Sequence, residues 1–422
     1  MKKLIIILLS LISCSAFANF DSVFYNRTLR IDYIHTGSNN TEVYSIDEVK
    51  TEPFWGGTHT QLIEGFMYGK YYFKVFDFQS GSLIYSRGYG SLFGEWQTTE
   101  EAKEIPRSFT ESIIMPLPKD SAEIVFFSRN KKGVLEEKFN YIFNPNDYFI
   151  SPERRLQFPS FDVFISGPPN EKVDIVILPE GYTKDEMGEF IADCQKFKEI
   201  LFSFSPYKEH IDKFNIRGVL APSPQSGTDI PADTIWKKTL LNTSFYTFDS
   251  ERYCMTRDFK SVRDMAANAP YDQIYILVNS DKYGGGAIYN YYSLSVSGNL
   301  KAAKIFVHEF GHGFAGLADE YYTSDVSYSE FYPVDVEPWE PNITTLVDFD
   351  KKWKNLLDEN TPIPTPDTGQ YRQMLGVFEG GGYVAKGVYR PKHDCLMKSF
   401  DGDSYCEACY QAIEKMILFY TE

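Results

Sequence analysis

Val307-His308-Glu309-Phe310-Gly311-His312 lies inside an apolar stretch, residues 300–317, whose spacing predicts a helix. Residues four apart on a helix share a face, so His308 and His312 can offer both imidazoles to one ion while Glu309 stands beside them. A His-Glu-x-x-His pattern of this kind suits zinc, with two nitrogen ligands and a glutamate placed to accept a proton from water. Outward from this helix, the chain reads as an α/β domain. Tyr283-Gly284-Gly285-Gly286 is a turn signal leading into residues 287–296, whose alternation predicts an edge strand. Residues 173–178, Val-Asp-Ile-Val-Ile-Leu, form the near-continuous apolar run of a buried strand, and residues 184–204 have helical spacing. Two more buried strands are expected at 214–220 and 273–278, with a polar helix near 261–267 between them. This pattern predicts a domain over residues 151–422 with a mixed sheet and an active-site helix.

Before it the pattern changes. Residues 144–159 are rich in proline and polar side chains and read as a linker. From 20 to 149 short alternating strands and turns recur, as in residues 28–34, Thr-Leu-Arg-Ile-Asp-Tyr-Ile, and residues 70–76, Lys-Tyr-Tyr-Phe-Lys-Val-Phe. Such spacing predicts a β-sandwich over residues 19–150. Its histidines, His35 and His59, have no catalytic spacing, so the segment reads as a supporting or binding module.

A zinc site with an open position for water needs a third protein ligand. Gly316 can end the helix in a left-handed conformation and turn the chain back, bringing Asp319 to the ion. Glu320 is the first substitute, and Glu330 or Glu337 the more distant ones.

The composition narrows the partners. In 422 residues, 43% hydrophobic and 24% charged are ordinary for a globular protein, whereas 30 Tyr and 34 Phe suit strand-rich structure or a peptide or carbohydrate surface. A formal charge of -16 offers no basic face, which argues against nucleic acid and anionic membrane surfaces. The first residues read as an export signal: Lys2 and Lys3, an apolar run over residues 4–12, then small residues. That run is too short to span a bilayer. Ala16-Phe17-Ala18 fits cleavage after residue 18. Leu11-Ile12-Ser13-Cys14 instead resembles a bacterial lipobox, which would end the signal at residue 13 and tether the chain by a lipid on Cys14. Either way the expected location is periplasm, cell surface or extracellular medium.

Further along, residues 308–322, Glu379-Gly-Gly-Gly-Tyr383, Gly387-Val-Tyr-Arg390-Pro391 and Cys395-Leu-Met397-Lys-Ser399 occur in order. Together they resemble the IgA-peptidase family within the metzincin-like zinc peptidases, from about residue 173 to the C-terminus, and the preceding segment resembles that family's N-terminal domain. Metzincins usually place glycine three residues, and the third ligand six residues, after the second histidine. Here Gly316 comes at four and Asp319 at seven. The resemblance implies a zinc endopeptidase with Glu309 as general base, a Met-turn at Met397 packing beneath the ligands, and an edge strand at 289–295 that pairs with bound peptide. Tyr383, Tyr389 and Arg390 are the candidates for contacting substrate or stabilising the oxyanion.

Beyond the signal there are five cysteines, Cys194, Cys254, Cys395, Cys406 and Cys409. Export favours a disulfide from Cys395 to Cys406 or Cys409. The alternative is a second, structural zinc held by His393, Cys395, Cys406 and Cys409. The rival to the peptidase reading is a surface binding or adhesion protein in which the helix motif is a structural metal site. A zinc hydrolase acting on non-peptide amides is a third.

Overall fold

The computed structural model of the protein describes residues 19–322 and 332–422. The signal segment with Cys14, and Glu330, lie outside them. The N-terminal part is built from β1 (Phe24–Gly37), β2 (Glu42–Glu52), β3 (Tyr71–Asp77), β4 (Leu83–Tyr89), β5 (Arg107–Pro118), β6 (Ala122–Arg129) and β7 (Leu135–Phe143). They form two antiparallel sheets, ordered β2-β1-β5 and β4-β3-β6-β7. Inward residues such as Leu29, Ile31 and Tyr33 of β1 and Phe73 and Val75 of β3 share one buried cluster. The strand-rich domain expected from the alternation is therefore present.

The second part is a mixed sheet of β8 (Ser160–Phe164), β9 (Val173–Glu180), β10 (Phe214–Val219), β11 (Gln273–Val278), β12 (Gly285–Ile288) and β13 (Tyr292–Val296), ordered β12-β13-β11-β9-β10-β8. The four inner strands run parallel, and β12 and β8 close the edges antiparallel. Every residue of β9 and β11 is buried, as a strand covered on both faces requires. Alternation along β9 sends Val173, Ile175 and Ile177 to one core and Val176 and Leu178 to the other.

The first of these cores lies under α1 (Met187–Leu201), α3 (Ala302–Ala315) and α4 (Glu407–Thr421), and the second faces α2 (Phe259–Ala266) and continues into the sandwich. A hairpin of β14 (Phe378–Gly381) and β15 (Val384–Arg390) completes the C-terminal part. Among the described residues no helix is long and apolar enough to cross a membrane.

One expectation is corrected. The alternating run at 287–296 is two strands, because Asn290 adopts a left-handed φ of 52° and reverses the chain between β12 and β13. Residues 292–296 pair on both sides, so the outer strand is β12, whose first residue, Gly285, is itself bridged by Tyr253 through hydrogen bonds with Arg252 and Cys254.

Because the second core runs on into the sandwich, the two parts share apolar packing. Polar contacts reinforce the join. The Gly90 amide donates to the Tyr289 carbonyl at 2.8 Å, and Asn290 Nδ2 donates to the Gly88 carbonyl at 2.8 Å. The buried Arg30 guanidinium on β1 reaches Asp264 of α2 at 2.7 Å while pairing with Asp32.

Candidate active site

Helix α3 carries the motif and is fixed by its opposite face. Phe306, Phe310 and Phe314 recur every four residues and are buried. Each contributes roughly 1.5–3 kcal/mol by leaving water. Two residues along a helix is about 200° of rotation, so His308 and His312 point away from that stripe. Gly316, at φ 64°, ends the helix and turns the chain back as its sequence position predicts.

The turn brings Asp319 to the two histidines. His308 Nε2 and His312 Nε2 lie 3.0 Å apart, and Asp319 Oδ1 lies 3.2 Å from the first and 3.4 Å from the second. Each histidine's other nitrogen meets a backbone carbonyl: His308 Nδ1 meets Leu396 O at 3.0 Å and His312 Nδ1 meets Leu317 O at 2.5 Å. A carbonyl only accepts, so each Nδ1 must carry the proton and each Nε2 presents its lone pair to the centre of the triangle. Asp319 Oδ2 accepts a hydrogen bond from the Tyr383 hydroxyl at 2.5 Å, while the buried Oδ1 has no hydrogen-bond donor.

Three donors about 2.0–2.1 Å from a tetrahedral zinc would stand about 3.3 Å from one another. The observed separations and the orphaned Oδ1 fit such an ion. Without an ion, burial opposes the charge of His312, but Asp319 outweighs it and lifts the imidazole to about 9, so a cation binding at Nε2 would displace a proton there. Burial works against the Asp319 carboxylate as well, yet the two histidines hold its pKa well below the usual range.

Glu309 sits beside the triangle with its carboxyl toward β12, where a Cβ on Gly285 would come within 3.2 Å of Glu309 Oε1. Burial pushes the Glu309 pKa up, with His308 and His312 pulling the other way. A raised carboxyl of this kind can both take and return a proton.

Glu320 does not join the triangle. Its side chain turns to the opposite side of the loop, where Asn342 Nδ2 donates to Glu320 Oε1 at 3.0 Å. Asn342 also accepts from the Ala318 amide at 2.7 Å and donates to the Ala318 carbonyl at 2.9 Å, which fixes the loop carrying Asp319. Glu337 accepts from the Asp348 amide at 3.0 Å and is not among the donors around the histidines.

Met397 is fully buried beneath α3, its sulfur 3.2 Å from where a Cβ on Gly311 would stand. Of the three C-terminal candidates, Tyr383 alone lines the cleft. Tyr389 belongs to the hairpin and exchanges backbone hydrogen bonds with Thr344. Arg390 is buried, donates to the carbonyls of Glu379 and Gly380 at 2.8 and 2.7 Å, and stacks over Tyr322 and Phe378. Neither lines the cleft, because the Arg390 guanidinium is committed to the hairpin carbonyls and the Tyr389 ring packs against the apolar core.

The cysteine expectation also changes. All five described cysteines are free thiols, so no disulfide joins Cys395 to Cys406 or Cys409. His393 instead approaches Asp367 at 3.0 Å, away from the thiols.

The triangle opens into a cleft of about 1260 Å³. One wall is the catalytic part, with β12, Arg252, Tyr283 and Tyr321; the other is the sandwich, with Glu95, Lys70 and Arg129. Glu95 bonds to the Tyr253 hydroxyl, and burial lifts its carboxyl to about 7. Arg252 donates to the Tyr321 hydroxyl at 3.1 Å. These wall residues carry no motif, and only the docking of the two parts assembles them.

A family model described as IgA Peptidase M64 matches residues 162–374 and 367–417, and one described as Peptidase M64 N-terminus matches residues 19–140. The chain belongs to the IgA Peptidase M64 family. No match was found among curated proteins. As a member of a peptidase family it has a protein or peptide as its substrate, and the M64 match spans both β12 and the triangle.

Proposed function

We propose that the chain is a zinc-dependent, metzincin-like endopeptidase that acts outside the cytoplasm, with His308, His312 and Asp319 as ligands and Glu309 as general base. The observation that carries this reading is the triangle of two outward Nε2 lone pairs and an unpartnered carboxylate oxygen, opening onto a cleft. Zinc, when bound, supplies Lewis acidity toward the scissile carbonyl and toward water. Glu309 takes the proton from water as it attacks and delivers it to the leaving amide nitrogen. Tyr383 holds Asp319 in its orientation, and the Leu396 and Leu317 carbonyls hold the histidines in theirs. The extended substrate lies along residues 286–288 of β12, which line the cleft beyond Gly285, whose own amide and carbonyl are bonded to Arg252 and Cys254. The Lys-apolar-small pattern of residues 1–18 supports export.

A surface binding role has less support, because a purely structural metal site needs neither a base nor an open cleft. The test is hydrolysis of a mixed peptide library by zinc-loaded protein. Activity should vanish with a chelator and return with zinc, and Glu309→Gln should lose about 10²–10⁴-fold in turnover with its fold unchanged. Equal cleavage by wild type and Glu309→Gln would sink the reading.

A further inference from the structure

On the far side of the ligand loop, Cys395, Cys406, Cys409 and Glu320 bring three sulfurs and a carboxylate oxygen within 4.8 Å of one another. All four residues are buried, and Glu320 is wholly so. Cys409 Sγ donates to Glu320 Oε1 at 3.3 Å, and the Met397 amide donates to Cys395 Sγ at 3.3 Å. Glu320 Oε2 is buried with no hydrogen-bond partner. Asn342 and Cys409 serve only Oε1, so the buried carboxylate keeps one oxygen without a hydrogen bond, a costly arrangement unless a cation meets the group. Cys406 and Cys409 stand at the start of α4, three residues apart and therefore on one face, where the helix N-terminus favours thiolates.

We infer that Glu320, Cys395, Cys406 and Cys409 form a second, structural zinc site. Three thiolates and one carboxylate make a complete four-coordinate set, and soft sulfur donors select zinc over harder cations. Zinc–sulfur bonds of about 2.3 Å place tetrahedral sulfurs about 3.8 Å apart, inside the observed span. Binding converts thiols to thiolates and releases their protons to solvent, and it gives the buried Glu320 carboxylate a cation. A disulfide satisfies this cluster less well, since any pairing leaves the third thiol and the carboxylate unmatched. His393, the sequence neighbour of Cys395, is replaced in the set by a residue distant in sequence.

The site ties three segments at one point: the loop after α3, the Met397 turn and the start of α4. Glu320 follows Asp319 directly, and its amide donates to the Met397 carbonyl at 2.8 Å. The second zinc thereby positions Asp319 and Met397 from behind. It does not depend on the catalytic reading.

The decisive material is full-chain protein carrying His308→Ala and His312→Ala, which removes the other site's nitrogen donors. Loaded with zinc(II) and desalted, it is expected to retain one zinc per chain. Loaded with cobalt(II), it should show the intense near-ultraviolet thiolate-to-cobalt charge-transfer band, and adding Cys406→Ser should abolish that band. Thiol titration of chelated, denatured wild type should find no disulfide. The proposal is overturned if the double-histidine variant binds no metal, if its cobalt spectrum lacks the thiolate band, or if denatured wild type is two thiols short. Wild type with the band but no peptidase activity would refute the catalytic reading and leave this one standing. One bound metal without the band would do the reverse.

Discussion

Tyr383 fixes one oxygen of Asp319 and so leaves the other for the proposed zinc. Tyr383→Phe should weaken zinc binding at the histidine site by about 10–100-fold, the usual cost of losing a residue that orients a ligand. Competition with a chelator measures it, and an unchanged affinity would deny Tyr383 that role. Away from the cleft, His35 is buried between Glu111 at 3.0 Å and Glu42 at 3.3 Å. Burial alone would lower its pKa, but the two carboxylates outweigh it and raise it. A raised folded pKa stabilises fully below the unfolded value of about 6.5, and the gain is lost as pH rises through the folded value. The urea midpoint should therefore fall as pH rises above about 6.5, and His35→Gln should flatten that fall; parallel curves for the two proteins would contradict it. His308, Glu309, His312 and Asp319 were legible because helical spacing and one glycine cap bring them together locally. Glu320's partnership with thiols was not, since it depends on α4 packing against a loop some ninety residues earlier.

Helix α3 tolerates no side chain at Gly311. A Cβ there would stand 2.8 Å from the Tyr405 hydroxyl and 3.2 Å from the Met397 sulfur. Tyr405 donates to the Val307 carbonyl at 2.6 Å, so it cannot yield without losing that bond. Alanine's better helix propensity gains about 1 kcal/mol over glycine, whereas overpacking costs about 1–3 kcal/mol. Gly311→Ala should thus lower the melting temperature, and an unchanged or higher value would show that the floor under the helix can shift. The helix itself was readable from its apolar period and its cap at Gly316. The edge strand was misplaced because Ala287, Tyr289, Tyr291 and Ser293 continue an alternating pattern straight through the turn at Asn290. Asparagine accepts a left-handed conformation at little cost, and alternation carries no mark of it.

The cleft belongs to no single domain. Glu95 and Lys70 come from the sandwich and face the helix across it, and a common apolar core runs between the two parts. Residues 151–422 expressed alone should expose that core face and show no measurable cleavage of peptides that the full chain cuts. Activity equal to that of the whole protein would reduce the sandwich to a passenger. Each part was legible as a unit, but their docking was not, because Gly90 and Tyr289 join through backbone groups that any sequence possesses, and the Asn290 side chain meets only the backbone carbonyl of Gly88. That seam also sets a schedule. A peptidase whose substrate groove closes only when two folding units meet is harmless to its own unfinished chain, and to its neighbours, until assembly is over. In refolding from denaturant, turnover should lag behind the recovery of helix signal.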